Sequence, residues 1–226
     1  MKKTVFIFFT FFILGCGNSQ SSSYKKFIPL YSSPSLWYQN IDKLKNQTVI
    51  INPNNGPGNE IDEKYLKAIN FLKQNNVTIY GYVYTKYMKR DLNEITNDID
   101  KYKNFYPEID GIFFDETATN KLDDYEFLAD YVHSKNFSLV AINPGTMVDK
   151  SFFDCKKFNI IVTLEKDYKN INFSKIPFQF SNKKTKSAAL IFDTDNKKLI
   201  NFLKKKGFYY IYITPDTSSN PWKNIY

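Results

Sequence analysis

The chain has little of the residue chemistry from which most metal and nucleophile sites are built. It carries one histidine, His133, one arginine, Arg90, and two cysteines, Cys16 and Cys155. A structural zinc or iron–sulfur site needs several such ligands at fixed spacing, so this class is excluded and no metal or cofactor is expected. No Gly-x-Ser-x-Gly elbow occurs, and no glycine-rich phosphate loop follows the first candidate strand. With a single arginine, the formal charge of +8 is a lysine charge, carried in pairs such as Lys183-Lys184 and in the run Lys204-Lys205-Lys206. Solvated lysines and attraction to anionic lipid headgroups account for it, and no helix-turn-helix, zinc or RNA-binding signature supports a nucleic-acid partner.

Long apolar runs are also scarce. The most marked extends from Val5 to Leu14, behind Lys2-Lys3 and ahead of Gly15-Cys16. At about ten residues it has the make-up of a secretory signal and falls well short of the roughly twenty needed to cross a bilayer. The order Ile13-Leu14-Gly15-Cys16 resembles the lipobox of bacterial lipoproteins. That resemblance implies removal of residues 1–15 and diacylation of Cys16, a two-chain anchor where one chain alone is marginal. Residues 17–23, Gly-Asn-Ser-Gln-Ser-Ser-Ser, then form a flexible polar tether. The expected product is exported and lipid-anchored, its monomeric domain spanning 24–226 outside the cytoplasm. Cys155 is left without a partner for a disulfide and is expected to be a small, at least half-buried side chain.

What the chain does have is aromatic residues, 17 Tyr and 21 Phe, and a regular alternation of short apolar runs with longer amphipathic ones. The runs Phe27–Tyr31, Thr48–Asn52, Val77–Val83, Gly111–Phe114, Ser138–Ile142, Ile160–Leu164, Ser187–Phe192 and Phe208–Ile213 read as eight strands. Helical spacing appears in 60–74, 91–105, 121–134 and 195–206, the last stopped by Gly207. Continuously apolar strands separated by helices indicate a parallel sheet covered on its outer side, and eight of them indicate a compact, single-domain (β/α)8 TIM-type barrel. About 200 residues is short for that fold, so some helices should be trimmed. No helix is evident after the sixth strand, between Phe158 and Lys186.

Chemistry in such barrels sits where strands end. The residues there are Asn52, Asn54 and Asn55 after strand two, Tyr82, Tyr84 and Arg90 around the end of strand three, and Asp115-Glu116 after strand four. Asn143 follows strand five, Glu165 follows strand six, and Trp222 lies in the tail. Acids with amides and aromatic rings suit a polysaccharide, because glycosidic cleavage uses two flanking carboxyl groups. Asp115, directly behind Ile112-Phe113-Phe114, is partly desolvated by its position and is the sharpest candidate. Glu165 sits in the same way behind Thr163-Leu164. Alternation puts Asp115 and Glu116 on opposite faces unless the strand ends between them. The alternative for Asp115 is a helix cap with a lysine partner such as Lys121 or Lys166.

The blocks Phe27–Tyr31, Ile51–Gly58, Gly81–Thr85, Gly111–Glu116, Asn143–Thr146 and Thr163–Glu165 resemble, in order, those of the spherulin-4 family, over nearly the whole domain. The family's characterised fungal members are (β/α)8-barrel glycoside hydrolases that cleave α-1,4-linked N-acetylgalactosamine in galactosaminogalactan, a biofilm exopolysaccharide. The resemblance implies an endo-acting, retaining enzyme with Asp115 as nucleophile, Glu165 as acid/base, the two roles exchangeable, and Glu116 tuning the pair. It also implies sugar contacts from Asn52, Asn54, Asn55, Tyr82, Tyr84, Arg90, Asn143 and Trp222. Where family members often carry a histidine after strand seven, this chain has Phe192-Asp193, so its specificity is open. A barrel that binds or tethers glycan without cutting it is the alternative from the same residues.

Overall fold

The computed structural model describes residues 24–217 and 219–226. The signal sequence, Cys16 and the tether lie outside the described residues. Eight strands run in chain order around one all-parallel sheet: β1 (Phe27–Leu30), β2 (Thr48–Ile51), β3 (Thr78–Tyr84), β4 (Gly111–Asp115), β5 (Leu139–Ile142), β6 (Ile160–Asp167), β7 (Lys186–Phe192) and β8 (Tyr210–Ile213). The sheet closes on itself through Lys25, whose N–H donates to the Tyr209 carbonyl and whose carbonyl accepts from the Ile211 N–H. The helices are α1 (Pro34–Gln39), α2 (Ile41–Leu44), α3 (Glu63–Gln74), α4 (Leu92–Phe105), α5 (Leu122–Ser134), α6 (Ser151–Asp154) and α7 (Lys198–Lys205). The fold is the expected (β/α)8 barrel. No described helix is long and apolar enough to cross a membrane.

The short chain is accommodated by trimming, as its length requires. α6 is a single turn, and two 3-10 turns, Tyr168–Asn170 and Phe173–Lys175, stand where a helix would follow β6. Helix starts differ from the sequence expectation where a side chain intervenes. α3 begins at Glu63 because the Asp62 carboxylate accepts from the N–H groups of Lys64 and Tyr65, capping the first turn. α7 begins only at Lys198, three residues late, since Asn196 and Lys197 are still turning.

The barrel is filled by side chains, as a small closed barrel must be. Phe27 is surrounded by the rings of Tyr80, Phe113 and Tyr210, at 5.7, 5.8 and 5.9 Å between centroids. One step nearer the carboxyl ends of the strands, Tyr82 packs on Phe113 at 6.2 Å and edge-on against Tyr31 at 5.8 Å. This aromatic floor separates the barrel mouth from solvent below. Close strand approach is set at Gly111, where an added Cβ would lie 2.0 Å from the Leu139 carbonyl oxygen. That contact is backbone and cannot swing away. Gly111→Ala should therefore force β4 and β5 apart and destabilise the barrel by about 3 kcal/mol; chemical denaturation measures it, and an unchanged midpoint would remove the argument.

Candidate active site at the barrel mouth

Three side chains meet at the carboxyl ends of β4, β5 and β6. The Asn143 amide nitrogen donates to Asp115 Oδ1 at 2.7 Å and also to Glu165 Oε2. Its orientation is set locally: Asn143 Oδ1 accepts from the Gly145 N–H at 3.0 Å, so the NH2 must face the acids. Gly145 makes this turn with φ +64°, and its carbonyl accepts from the Glu165 N–H at 3.1 Å. Two oxygens that both bond one nitrogen cannot lie more than about 6 Å apart. That limit is compatible with the roughly 5–5.5 Å of carboxyl pairs that work by covalent displacement, and lies below the roughly 6.5–9.5 Å of pairs that admit a water between them.

Each acid reaches the mouth by a different route. Phe113 points into the barrel, so Asp115, two residues on, does so as well. The strand ends there, and Glu116 turns off it with φ +50°, the interruption that alternation requires if both are to serve the mouth. Glu165 depends on a β-bulge. β6 pairs with β7 as Val162↔Ala188 and then Leu164↔Ala189, so Thr163 is an extra residue without a partner. Regular alternation from inward-facing Val162 would point Leu164 into the barrel and Glu165 outward; the bulge reverses the phase. Thr163 Oγ1 donates to Gln179 Oε1 at 2.6 Å, tying the bulge to the segment that replaces the missing helix.

The surroundings set the acidity of the pair. Burial in the low-dielectric mouth, reinforced by the charge of Asp115, pushes the Glu165 carboxyl up to about 7, against a smaller downward pull from Asn143. Burial also raises Asp115, but hydrogen bonds from the Glu116 N–H, Asn143 and Tyr82 oppose it. Burial thus raises both acids, and Glu165 retains its proton near neutrality. The phenols of Tyr82 and Tyr31 are held well above their ordinary range, chiefly by burial and then by the negative charge of Asp115, so both remain hydrogen-bond donors. Glu165 Oε1 has no hydrogen-bond partner among the described residues. Glu165 also lines a cleft of about 650 Å³ with Gly145, Thr163, Lys166, Asn170 and Ile176, but Asp115, Asn143 and Tyr82 do not line it. A second cleft, about 620 Å³, lies on the outside of β8 among Tyr24, Ile200, Ile211 and Tyr226, and no member of the acid cluster lines it.

The other sequence-chosen residues are distributed unevenly. Tyr82 belongs to the site. Asn52 Oδ1 accepts from the Gly56 N–H at 2.7 Å and shapes its own turn, while Asn54 and Asn55 are exposed on that loop. Arg90 stacks on Tyr84 at 4.7 Å, donates to the Tyr84 carbonyl, and pairs with Asp98 at 2.6 Å. Its guanidinium, and with it the Tyr84 ring, is engaged in holding the β3–α4 loop. Trp222 is 6 % exposed and packs against Phe192 and Tyr212, with little ring face left for a sugar. Asp115 caps no helix, and Lys121 pairs with Asp124 instead. Tyr31 joins the acids from the end of β1, and its strand-end position is the sequence signal that points to it. Cys155 is free and half-buried. No metal-holding group of three or more His, Cys, Asp or Glu occurs among the described residues.

Fold and site together define a (β/α)8-barrel protein with a bridged acid pair at the carboxyl end of its strands. Residues 26–226 match the family described as "Spherulation-specific family 4", and the chain belongs to that family. It is 31 % identical over 152 residues to Spherulin-4 of Physarum polycephalum, covering 64 % of this chain and 46 % of that protein. The chain thus spans about half the length of the curated relative it matches. A solved structure, DHDPS from Cyanidioschyzon merolae with lysine bound, superposes with a TM-score of 0.48 at 8 % identity, over 85 % of this chain and 70 % of that one.

Proposed function

We propose that this protein is a retaining, endo-acting glycoside hydrolase whose substrate is an α-1,4-linked polymer containing N-acetylgalactosamine and galactosamine. The observation that carries the reading is the single Asn143 nitrogen bonded to both Asp115 and Glu165, with Glu165 raised to about 7. In the first step an Asp115 oxygen bonds to the anomeric carbon as the glycosidic bond breaks. The Glu165 proton passes to the departing oxygen. In the second step ionised Glu165 takes a proton from water, whose oxygen attacks the same carbon and releases Asp115. Glu116, beside Tyr82 and the backbone turn, orients the pair. The substrate class is supported by the family's motifs, and the chemistry by the acid pair.

The experiment is incubation of the full-length protein, in detergent, with purified galactosaminogalactan and related amino-sugar polymers, following new reducing ends. Binding without cleavage across the set would exclude hydrolysis and leave a glycan-tethering protein. The location belongs to the same proposal: an acylated Cys16 holds the barrel outside the membrane, where exported glycan passes. Cells fed a radiolabelled fatty acid should label the wild-type protein, and Cys16→Ala should abolish the label; label persisting in Cys16→Ala would sink the anchor.

A further inference from the structure

The loop between β3 and α4 holds a backbone conformation that its residues do not favour. Lys86, Tyr87 and Met88 have φ of +51°, +54° and +58°, three successive side-chain-bearing residues in the left-handed region. Each costs about 1–2 kcal/mol relative to right-handed backbone, so surrounding contacts must enforce the run. Those contacts lead to the site. The Tyr87 N–H donates to the Glu116 carbonyl at 2.7 Å, and the Thr85 N–H to the Asp115 carbonyl at 2.9 Å. Thr85 Oγ1 donates to the Glu116 carbonyl at 2.8 Å and also meets the Tyr125 hydroxyl. On the other side, Arg90 clamps the loop to Asp98. The end of the acid-bearing strand and the strained loop are one hydrogen-bonded unit.

The strain is not offset by burying the ring, because Tyr87 is 54 % exposed. Phe178 is more exposed, at 74 %, but its ring already carries the Lys206 ammonium at 5.0 Å, and no backbone bond joins it to Asp115 or Glu116 among the described residues. Tyr87 therefore combines an open aromatic face, an enforced backbone and direct backbone contact with Glu116. We infer that Tyr87 is a stacking platform for a pyranose ring of the bound polymer, adjacent to the unit that is cleaved. The apolar face of the sugar lies on the phenol ring, and the enforced backbone keeps that ring from folding into the core. This assignment rests on the glycan reading of the acid pair and adds the residue that grips the chain beyond it.

The test uses the full-length protein and neutral α-1,4-linked N-acetylgalactosamine oligosaccharides of graded length, chosen because exposed Lys86 and Lys89 flank the platform. Tyr87→Ala should raise KM on the longer oligosaccharides about tenfold, the worth of one lost aromatic contact. kcat should stay within about twofold, and the shortest cleaved oligosaccharide should be nearly unaffected. Tyr87→Phe should behave as wild type. Tyr87→Trp keeps the test open if the alanine variant misfolds: its indole fluorescence should shift on adding oligosaccharide. Wild-type kinetics at every length for Tyr87→Ala, or an unresponsive Trp in a protein that still cleaves, would overturn the platform and leave the hydrolase standing. If wild type binds without cleaving and Tyr87→Ala weakens binding tenfold, the platform stands and the hydrolase falls. Absence of both binding and cleavage overturns both.

Discussion

Asp115→Asn should lower turnover on the amino-sugar polymer by at least about 10³-fold, the scale on which one positioned catalytic group contributes. The amide is nearly isosteric and can still accept from the Asn143 NH2, so the fold and glycan binding should survive. It cannot form the glycosyl ester. A second consequence follows from charge. The Asp115 carboxylate is one cause of the raised Glu165 acidity, so its removal should let Glu165 lose its proton at lower pH. Reducing-end assays, with binding measured in parallel, read the first effect, and an NMR titration of the Glu165 carboxyl reads the second. Full activity in Asp115→Asn would remove Asp115 from the chemistry. An unmoved Glu165 titration would remove the electrostatic coupling.

Glu165→Gln should separate function from stability. Under the proposed mechanism, the variant without this proton donor should lose about 10²–10⁴-fold on the amino-sugar polymer, yet cleave the first bond of an aryl glycoside whose leaving group needs no proton. The glycosyl–Asp115 ester should then accumulate, since no base activates water, and intact-protein mass spectrometry would detect it. Stability should move the other way. The folded pKa of Glu165, about 7, lies above its ordinary 4.5, so in this window the unfolded chain ionises while the folded one keeps its proton. Below about pH 4.5 both states are protonated and the group adds no pH dependence. Between the two values stability falls as pH rises, and above about 7 the whole penalty of a buried carboxylate is present. Glutamine carries no such charge. Glu165→Gln should therefore raise stability at pH 8 by about 1–3 kcal/mol, roughly 2–10 °C in melting temperature for a domain of this size. At pH 4 it should raise it little. A variant less stable than wild type at pH 8 would contradict the burial argument.

Acid strength also predicts the pH dependence of the wild-type reaction. Activity should rise as Asp115 ionises and fall as Glu165 loses its proton near pH 7, with Glu165→Gln lacking the alkaline limb.

Eight strands, the main helices and the strand-end positions of Asp115 and Asn143 were legible in the amino-acid sequence; Glu165, expected just after strand six, lies inside β6, which stays paired with β7 as far as Asp167. Hydrophobic periodicity and turn chemistry act over a few residues, so local pattern carries them. The helix gap after β6 was legible for the same reason, as a stretch without helical spacing. The inward direction of Glu165 was not: simple alternation turns it outward, and only the register of β6 against β7 reveals the extra residue at Thr163. Nor could sequence show that Arg90 is consumed by Tyr84 and Asp98, or that Trp222 is buried. The bridge from Asn143 to both acids, the place of Tyr31 beside them and the raised pKa of Glu165 all arise from burial and from contacts between distant strands. The sequence by itself determined which elements form and which side chains stand at their ends, because those are local properties. Tertiary structure alone decided which of those side chains share one amide, because strand register and dielectric environment belong to the closed barrel.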